Sequence, residues 1–356
     1  MKIIHTADLH LDSAMKTNLS KEKAKMRKNE ILHTFERMVD FAKENEVSVI
    51  LIAGDLFDTK TVTVKTKDII RRCIEENPGI DFLYLKGNHD TEVTLYDEEA
   101  PLNLKLFSEN WTGYEYGDVV ITGAHLSGKS NLYDSLLLDK SKINIVTLHG
   151  QEQKYVGKDK TEAVNLPLLK DKYIDYLALG HIHSYKEDKL DTRGIWVYSG
   201  CPDGRGYDEC GEKGFYLITV EDGEIAHEFI PFMSRLINEI RVDISDCETT
   251  SDVDRLVFEK LSNVSSENLV KVVLCGKVSV ECSYDLSYIE DKYKDKFFAF
   301  KAEDDEVGIK FNIEDYMYDA SLKGEFIRTV MSEDYSDEEK RLVIELGIKA
   351  LSGEEL

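Results

Sequence analysis

No CxxC pair occurs among the six cysteines of this chain, Cys73, Cys201, Cys210, Cys247, Cys275 and Cys282. At 356 residues the chain is long enough to build a core without a disulfide framework, so all six are expected to be reduced and structural. No stretch approaches the roughly 18 uninterrupted apolar residues that cross a bilayer. Met1-Lys2 runs straight into Ile3-Ile4 and on to the charged Asp8, which leaves no apolar core or cleavage site for a secretory leader. A cytoplasmic protein without membrane contact is expected. Basic charge is also in deficit: 45 Lys and Arg stand against 69 Asp and Glu, a net charge of −24. A nucleic-acid binder usually carries the opposite balance. Either the substrate is small, or nucleic acid is held by a local patch or by a partner. Internal repeats and low-complexity segments are lacking as well.

What is present is a 42% hydrophobic chain whose apolar residues come in short, regular runs. Residues 2–7 read as a strand and 20–45 as an amphipathic helix, with Ile31, Phe35, Met38 and Ala42 at helical spacing and Ser20 as N-cap. Strands follow at 47–53, 80–85, 119–123, 143–148 and 176–179, with helices at 64–76 and about 98–108. This alternation predicts a layered α/β domain. From 195 to 231 three strands, 195–198, 215–220 and 225–230, suggest a second, antiparallel sheet completing a sandwich. A boundary falls near Met233–Leu236. The expected domains are 1–234, a small α+β unit over 235–315, and a tail over 316–356. In the α+β unit, 240–244, 269–274, 297–300 and 307–311 read as strands and 253–261 as a helix. In the tail, Ser336 and Glu339 form a capping box before an amphipathic helix whose apolar face is Leu342, Val343, Leu346 and Ala350.

Five short blocks sit along this pattern: Asp8-Leu9-His10, Gly54-Asp55, Gly87-Asn88-His89-Asp90, His149-Gly150 and Gly180-His181-Ile182-His183. Nearly every block follows an apolar strand, and the carboxyl ends of strands are where open α/β sheets bind ligands. Asp8 and His10, two apart, point the same way in an extended segment and can share one ion. His181 and His183 have the same spacing. Asp55 at the end of a buried strand costs too much to leave unpaired, and bridging two cations satisfies both its oxygens. Asn88 adds an amide oxygen. Imidazole, carboxylate and amide without thiolate favours Mn²⁺ or Fe²⁺, with Mg²⁺ a further option, over a structural Zn²⁺. Two ions about 4 Å apart activate a bridging water and clamp a phosphoryl oxygen. His89 is placed to protonate a leaving oxygen, with Asp90 orienting it. Of the other histidines, His5, His33 and His227 read as structural, while the loop of His125 has a path toward the site.

The five blocks in this order resemble the signature of the calcineurin-like metallophosphoesterases. Within that superfamily, His5-Thr6-Ala7-Asp8-Leu9-His10-Leu11-Asp12-Ser13, Gly54-Asp55-Leu56-Phe57-Asp58 and Gly180-His181-Ile182-His183, followed by a small α+β unit, look like the SbcD-type DNA repair exonucleases, especially the YhaO-like branch. The resemblance covers roughly 1–310. It implies a four-layer α/β/β/α sandwich with an α+β cap that helps form the DNA groove. It implies one metal on Asp8, His10, Asp55 and His183, a second on Asp55, Asn88, His149 and His181, and His89 in the acid or transition-state role. It also implies a Mn-dependent DNA exonuclease, with endonuclease action as well, that works on DNA ends with an SbcC-like ABC ATPase bearing a long coiled coil, and a homodimer. The chain departs from that pattern in its acidity, its short tail, and the loop Cys201-Pro202-Asp203-Gly204-Arg205-Gly206-Tyr207, where a Pro-Gly-Ser turn is more usual. In that loop Arg205 and Tyr207 are candidates for contacting a phosphate and a base. Two other readings stay open: a phosphoesterase for a small nucleotide or a phosphoprotein on the same site, and a non-catalytic scaffold in an ATPase complex.

Overall fold

A computed structural model describes the chain apart from residues 16–18, 59–61, 90–94, 97–98, 127–131, 154–162, 280–281, 311–317 and 352–356. It divides into two compact units, Met1–Ile237 and Asn238–Leu356. The first unit carries two six-stranded sheets. Its elements are β1 (Lys2–Thr6), α1 (Lys21–Glu44), β2 (Val49–Ala53), α2 (Val64–Glu75), β3 (Asp81–Leu85), β4 (Leu104–Leu106), β5 (Thr112–Tyr116), β6 (Val119–Gly123), β7 (Ile143–His149), β8 (Gln151–Glu152), β9 (Ala163–Val164), β10 (Tyr176–Gly180), β11 (Lys186–Lys189), β12 (Ile195–Tyr198), β13 (Gly214–Glu221) and β14 (Glu224–Pro231). The first sheet has the order β14-β13-β1-β2-β3-β4, and the second β11-β12-β10-β7-β6-β5.

Each layer follows from the two-residue alternation of the strands. Ile4, Ile50, Ile52, Phe82 and Tyr84 face the helices, where Ile31, Phe35, Met38 and Ala42 of α1 and Ile70 and Ile74 of α2 close the first core. Each large apolar side chain removed from water there contributes on the order of 1.5–3 kcal/mol. Ile3, Val49, Leu51 and Leu83 point the other way, onto Ile121, Ile145, Tyr176, Ala178 and Val197 of the second sheet. This explains why β2 is apolar throughout: both of its faces are covered. The outer face of the second sheet, with Val146, Leu148, Leu177 and Leu179, packs on Leu136, Val164, Leu166 and Leu169. Among the described residues this fourth layer is formed by loops, the short strand β9 and a 3₁₀ helix, Leu166–Leu169. The α1 cap is as expected, with the Ser20 hydroxyl accepting from the Lys23 N–H.

Three sequence expectations need correction. The described part of 98–108 is a turn followed by the short strand β4, which pairs with β3. Asn103 causes this: its side-chain amide donates to the carbonyls of Ile74, Asn77 and Ile80, so the segment is held against the end of α2. The strands over 195–231 do not make a new sheet. β13 pairs antiparallel with β1, β14 pairs with β13, and β12 joins β10 in the second sheet. Finally, Ala299–Lys310 is one long strand where two short ones are expected.

That strand belongs to the second unit, whose elements are β15 (Ile237–Asp243), α3 (Thr250–Leu261), β16 (Leu269–Ser279), α4 (Leu286–Tyr293), β17 (Ala299–Lys310), α5 (Leu322–Ser332) and α6 (Asp337–Leu351). Its sheet has the order β15-β16-β17. The acidic run Glu303-Asp304-Asp305-Glu306 lies inside β17, opposite a register shift between Val273 and Cys275 of β16. The bulge lets the strand continue through residues that break the apolar alternation. α3 opens with a full capping box between Thr249 and Asp252. The Ser336–Glu339 box is also present before α6. Leu342, Val343, Leu346 and Ala350, however, are exposed, and among the described side chains of α6 it is Ile344 that is buried against Ile327 and Val330 of α5.

Candidate metal centre

β1, β2 and β3 run parallel in the first sheet, and β7 and β10 run parallel in the second. Their carboxyl ends meet. His149 of β7 places Nδ1 2.9 Å from the Ala53 carbonyl at the end of β2. The His181 N–H, just past β10, donates to both carboxylate oxygens of Asp8, at 2.9 and 3.0 Å. Asp8, His10 and Asp55 are almost wholly buried, at 1%, 2% and 2% exposure.

An extended chain would put Asp8 and His10 on one side, but the backbone is left-handed at both, with φ of 53° and 46°. Asp55 and His181 also have positive φ, 51° and 101°. Such values are uncommon outside glycine and cost on the order of 1–3 kcal/mol each, so the surrounding structure must enforce them. It does so by hydrogen bonding: the Asp8 N–H donates to the Gly54 carbonyl and the His10 N–H to the Asp55 carbonyl, both at 3.0 Å. The two loops thus continue the β1–β2 pairing past the strand ends. Gly54 is needed here. Its φ is +102°, and a Cβ there would fall on the His149 ring.

The side chains then converge. His10 Nε2 and His183 Nε2 are 3.1 Å apart. His149 Nε2 lies 3.1 Å from Asn88 Oδ1 and 3.3 Å from Asp55 Oδ2. His10 Nε2 is 3.8 Å from the same Asp55 oxygen. The His149 and His181 rings are 5.4 Å apart. Donor atoms of Asp8, His10 and His183 lie within 4.8 Å of one another, as do those of Asp8, Asp55 and His149. Two imidazole nitrogens facing each other between buried carboxylates fit a shared cation, and the donor types suit a hard or borderline divalent ion. The outer nitrogens point to the same fit. His149 rests Nδ1 on a backbone carbonyl and His183 rests Nδ1 on Glu209 at 2.7 Å, the arrangement that turns Nε2 toward a metal.

Electrostatics follow these contacts. Burial opposes charge on His149, but its hydrogen bond and charge pairing with Asp55, and the nearby Asp8, raise it to about 9. Burial likewise disfavours the Asp55 carboxylate, yet His149, His10 and the His89 N–H hold it well below the usual carboxylate range. His181 is lowered, by burial and then by its neighbour His149, which outweigh Asp8 and Asp55. His183 is raised despite burial, because Glu209 and Asp8 favour its charged form.

The chain matches the model of a family described as calcineurin-like phosphoesterases over residues 1–185. It belongs to that family. This phosphoesterase is 28% identical over 297 residues to the uncharacterized metallophosphoesterase YhaO of Bacillus subtilis, covering 78% of this chain and 72% of that protein. It is 26% identical over 303 residues to the DNA double-strand break repair protein Mre11 of Sulfurisphaera tokodaii, covering 78% and 74%. It is 31% identical over 241 residues to the protein of the same name from Saccharolobus solfataricus, covering 61% and 60%.

Within this phosphoesterase the other sequence candidates are placed as follows. His89 is exposed at the rim, its N–H donating to Asp55 Oδ1 at 3.0 Å and its Nδ1 3.5 Å from Asp58 Oδ1. Asp90 lies outside the described residues. Arg205 directs its guanidinium inward, to Glu209, Asp58 and His183. Tyr207 is half-buried, and its carbonyl accepts from the Cys210 thiol. His5 is fully buried, paired with the Tyr176 hydroxyl, and burial lowers it to about 3. His33 and His227 sit beside Glu36 and Glu187. His125 bonds the Phe107 carbonyl. Sequence reasoning missed Asp58, whose Oδ1 is 3.1 Å from His10 Nδ1, and Glu209. Asp58 closes the Gly54–Asp58 motif, which is its signal in the sequence. Glu209 falls two residues past Tyr207, and nothing local marks it.

Proposed function

We propose that this chain is a two-metal phosphodiesterase acting on DNA ends, a Mn²⁺-dependent exonuclease with endonuclease action as well, serving double-strand break processing with an SbcC-like ABC ATPase. The observation that carries the reading is the extent of similarity to the break-repair proteins. It runs over 303 residues, well past residue 185 where the family model ends. Asp8, His10, Asp55 and His183 are assigned to one ion, and Asp55, Asn88, His149 and His181 to the other.

Bound divalent ions would supply charge neutralisation at the phosphoryl oxygens and a nucleophile from water at neutral pH. The protein's own groups do the rest. Asp55 stands between the two donor groups and sets their spacing. Asp8, fixed by two hydrogen bonds from the His181 N–H, cannot turn away. His89, exposed at the rim and flanked by Asp58, gives a proton to the leaving oxygen. The net charge of −24 is not spread evenly: α1 opens with Lys21, Lys23, Lys25 and Lys28. Lys28 Nζ is 2.9 Å from Asp12, two residues beyond His10. Such a local run supports a polyanion reaching the site. A homodimer is part of the same proposal.

The acidic balance favours one other reading, a small phosphoester as substrate. Digestion of end-labelled linear and hairpin DNA with Mn²⁺, wild type against His89→Ala, separates the two. The nuclease reading expects cleavage that the variant loses. Intact DNA alongside rapid hydrolysis of cyclic nucleotides or nucleotide sugars would overturn it.

A further inference from the structure

The loop between β12 and β13 buries charges that the ligand set does not use. Glu209 is 4% exposed. Its Oε1 receives His183 Nδ1 at 2.7 Å, Arg205 Nε at 3.0 Å and Arg205 Nη2 at 2.7 Å, and its Oε2 receives the Arg205 N–H at 2.6 Å. Arg205 Nη1 continues to Asp58 Oδ1 at 3.2 Å. The same Asp58 oxygen is 3.1 Å from His10 Nδ1. A chain Glu209–Arg205–Asp58 therefore joins the outer nitrogens of His183 and His10, the two rings whose inner nitrogens face each other.

His149 is held differently. Its outer nitrogen rests on the Ala53 carbonyl, a main-chain group fixed by β2. One side of the centre is thus positioned by a strand and the other by a loop. That loop is itself pinned. Lys213 Nζ donates to the His183 carbonyl at 2.9 Å. The wholly buried Arg27 of α1 pairs with Asp203 and donates through Nε to the Gly204 carbonyl at 3.0 Å.

The ring torsion of a histidine is broad and weakly restrained on its own, so the outer contact, a hydrogen bond at His183 and a close carboxylate at His10, decides where its inner nitrogen points. We propose that Glu209, Arg205 and Asp58 form a charge-paired bridge that positions the His10 and His183 rings, so that the metal these rings serve depends on the loop while the metal on His149 does not. The inference rests on the two-metal reading above. It gives Arg205 a positioning role in place of phosphate contact.

The test is Mn²⁺ binding to the full chain by calorimetry and electron paramagnetic resonance, with circular dichroism melts to confirm folding. Glu209→Gln keeps the shape and removes the charge, and Arg205→Met removes the centre of the bridge. Wild type should bind two ions, and each variant should weaken one of them roughly 10- to 100-fold. Glu209→Gln should add nothing in a His183→Ala background and retain its full effect in a His149→Ala background. Equal weakening of both ions, no weakening, or full additivity with His183→Ala would overturn the bridge alone. Wild-type protein that takes up no Mn²⁺ would overturn the two-metal reading, and the bridge with it.

Discussion

Removing the carboxylate of Asp203 should cost the first unit far more than a surface charge does, because its partner Arg27 is left without an escape to solvent. Both side chains are fully buried. Asp203 also accepts from the Thr34 hydroxyl at 2.9 Å and the Ser234 N–H at 3.0 Å. Breaking one half of a buried ion pair typically costs about 3–5 kcal/mol. Arg27 keeps Glu30 at 3.0 Å and the Gly204 carbonyl, which places Asp203→Ala toward the lower end. For a unit of this size about 1 kcal/mol corresponds to roughly 2–4 °C in melting temperature, so Asp203→Ala should melt roughly 10 °C below wild type. Arg27→Met combined with Asp203→Ala removes both charges and should be more stable than Asp203→Ala alone. The assay is thermal unfolding of metal-free protein followed by circular dichroism. A shift within about 2 °C of wild type, or a double variant that loses the sum of the single losses, would refute the reasoning.

Other outcomes follow from the same contacts. The raised value of His149, about 9 against an ordinary 6.5, means that its pair with Asp55 stabilises the metal-free protein fully below pH 6.5. That contribution is lost as pH rises through about 9, a fall on the order of 3 kcal/mol, and Mn²⁺ affinity should climb over the same window as the proton leaves. A melting temperature flat across that interval would count against the pairing. Gly87→Ala would put a Cβ onto Asp55 Oδ1 and should lower turnover of bis-p-nitrophenyl phosphate roughly 100-fold, since small displacements of reacting groups are costly. Asn103→Ala, which strands the carbonyls of Ile74, Asn77 and Ile80, should lower stability by about 1–3 kcal/mol in a urea titration, with an unchanged slope.

Much of the centre was legible because its residues are coupled to local pattern. Asp8, Asp55, His149 and His181 each come at or just past the end of an apolar run, and each run is a strand whose end the fold brings to one place. The glycines beside them are legible for the same reason. Features that depend on distant pairing were not. Nothing in 214–221 announces that β13 will lie against β1, because the partner is some 200 residues away in sequence. The turn at Asn103 rests on carbonyls around the end of α2 that accept from its side-chain amide. Glu209 acts only because its loop folds back onto His183. The acidic tetrad of β17 hid a continuous strand, since a bulge within the tetrad itself, where Asp304 and Asp305 stand opposite the single Leu274 of β16, lets the pairing continue. Where a residue's role was set within its own segment the sequence carried it; where a remote backbone set it, the sequence carried only the residue.

The most direct measurement is metal-dependent hydrolysis of bis-p-nitrophenyl phosphate by metal-stripped protein and by the same protein reloaded with Mn²⁺, wild type against Asp55→Asn. Asp55 faces both His10 and His149. The account predicts no hydrolysis without metal, recovery on reloading, and loss of that recovery in the variant. Hydrolysis that survives in Asp55→Asn, or that proceeds in stripped protein, would contradict a phosphoesterase centre built on these residues.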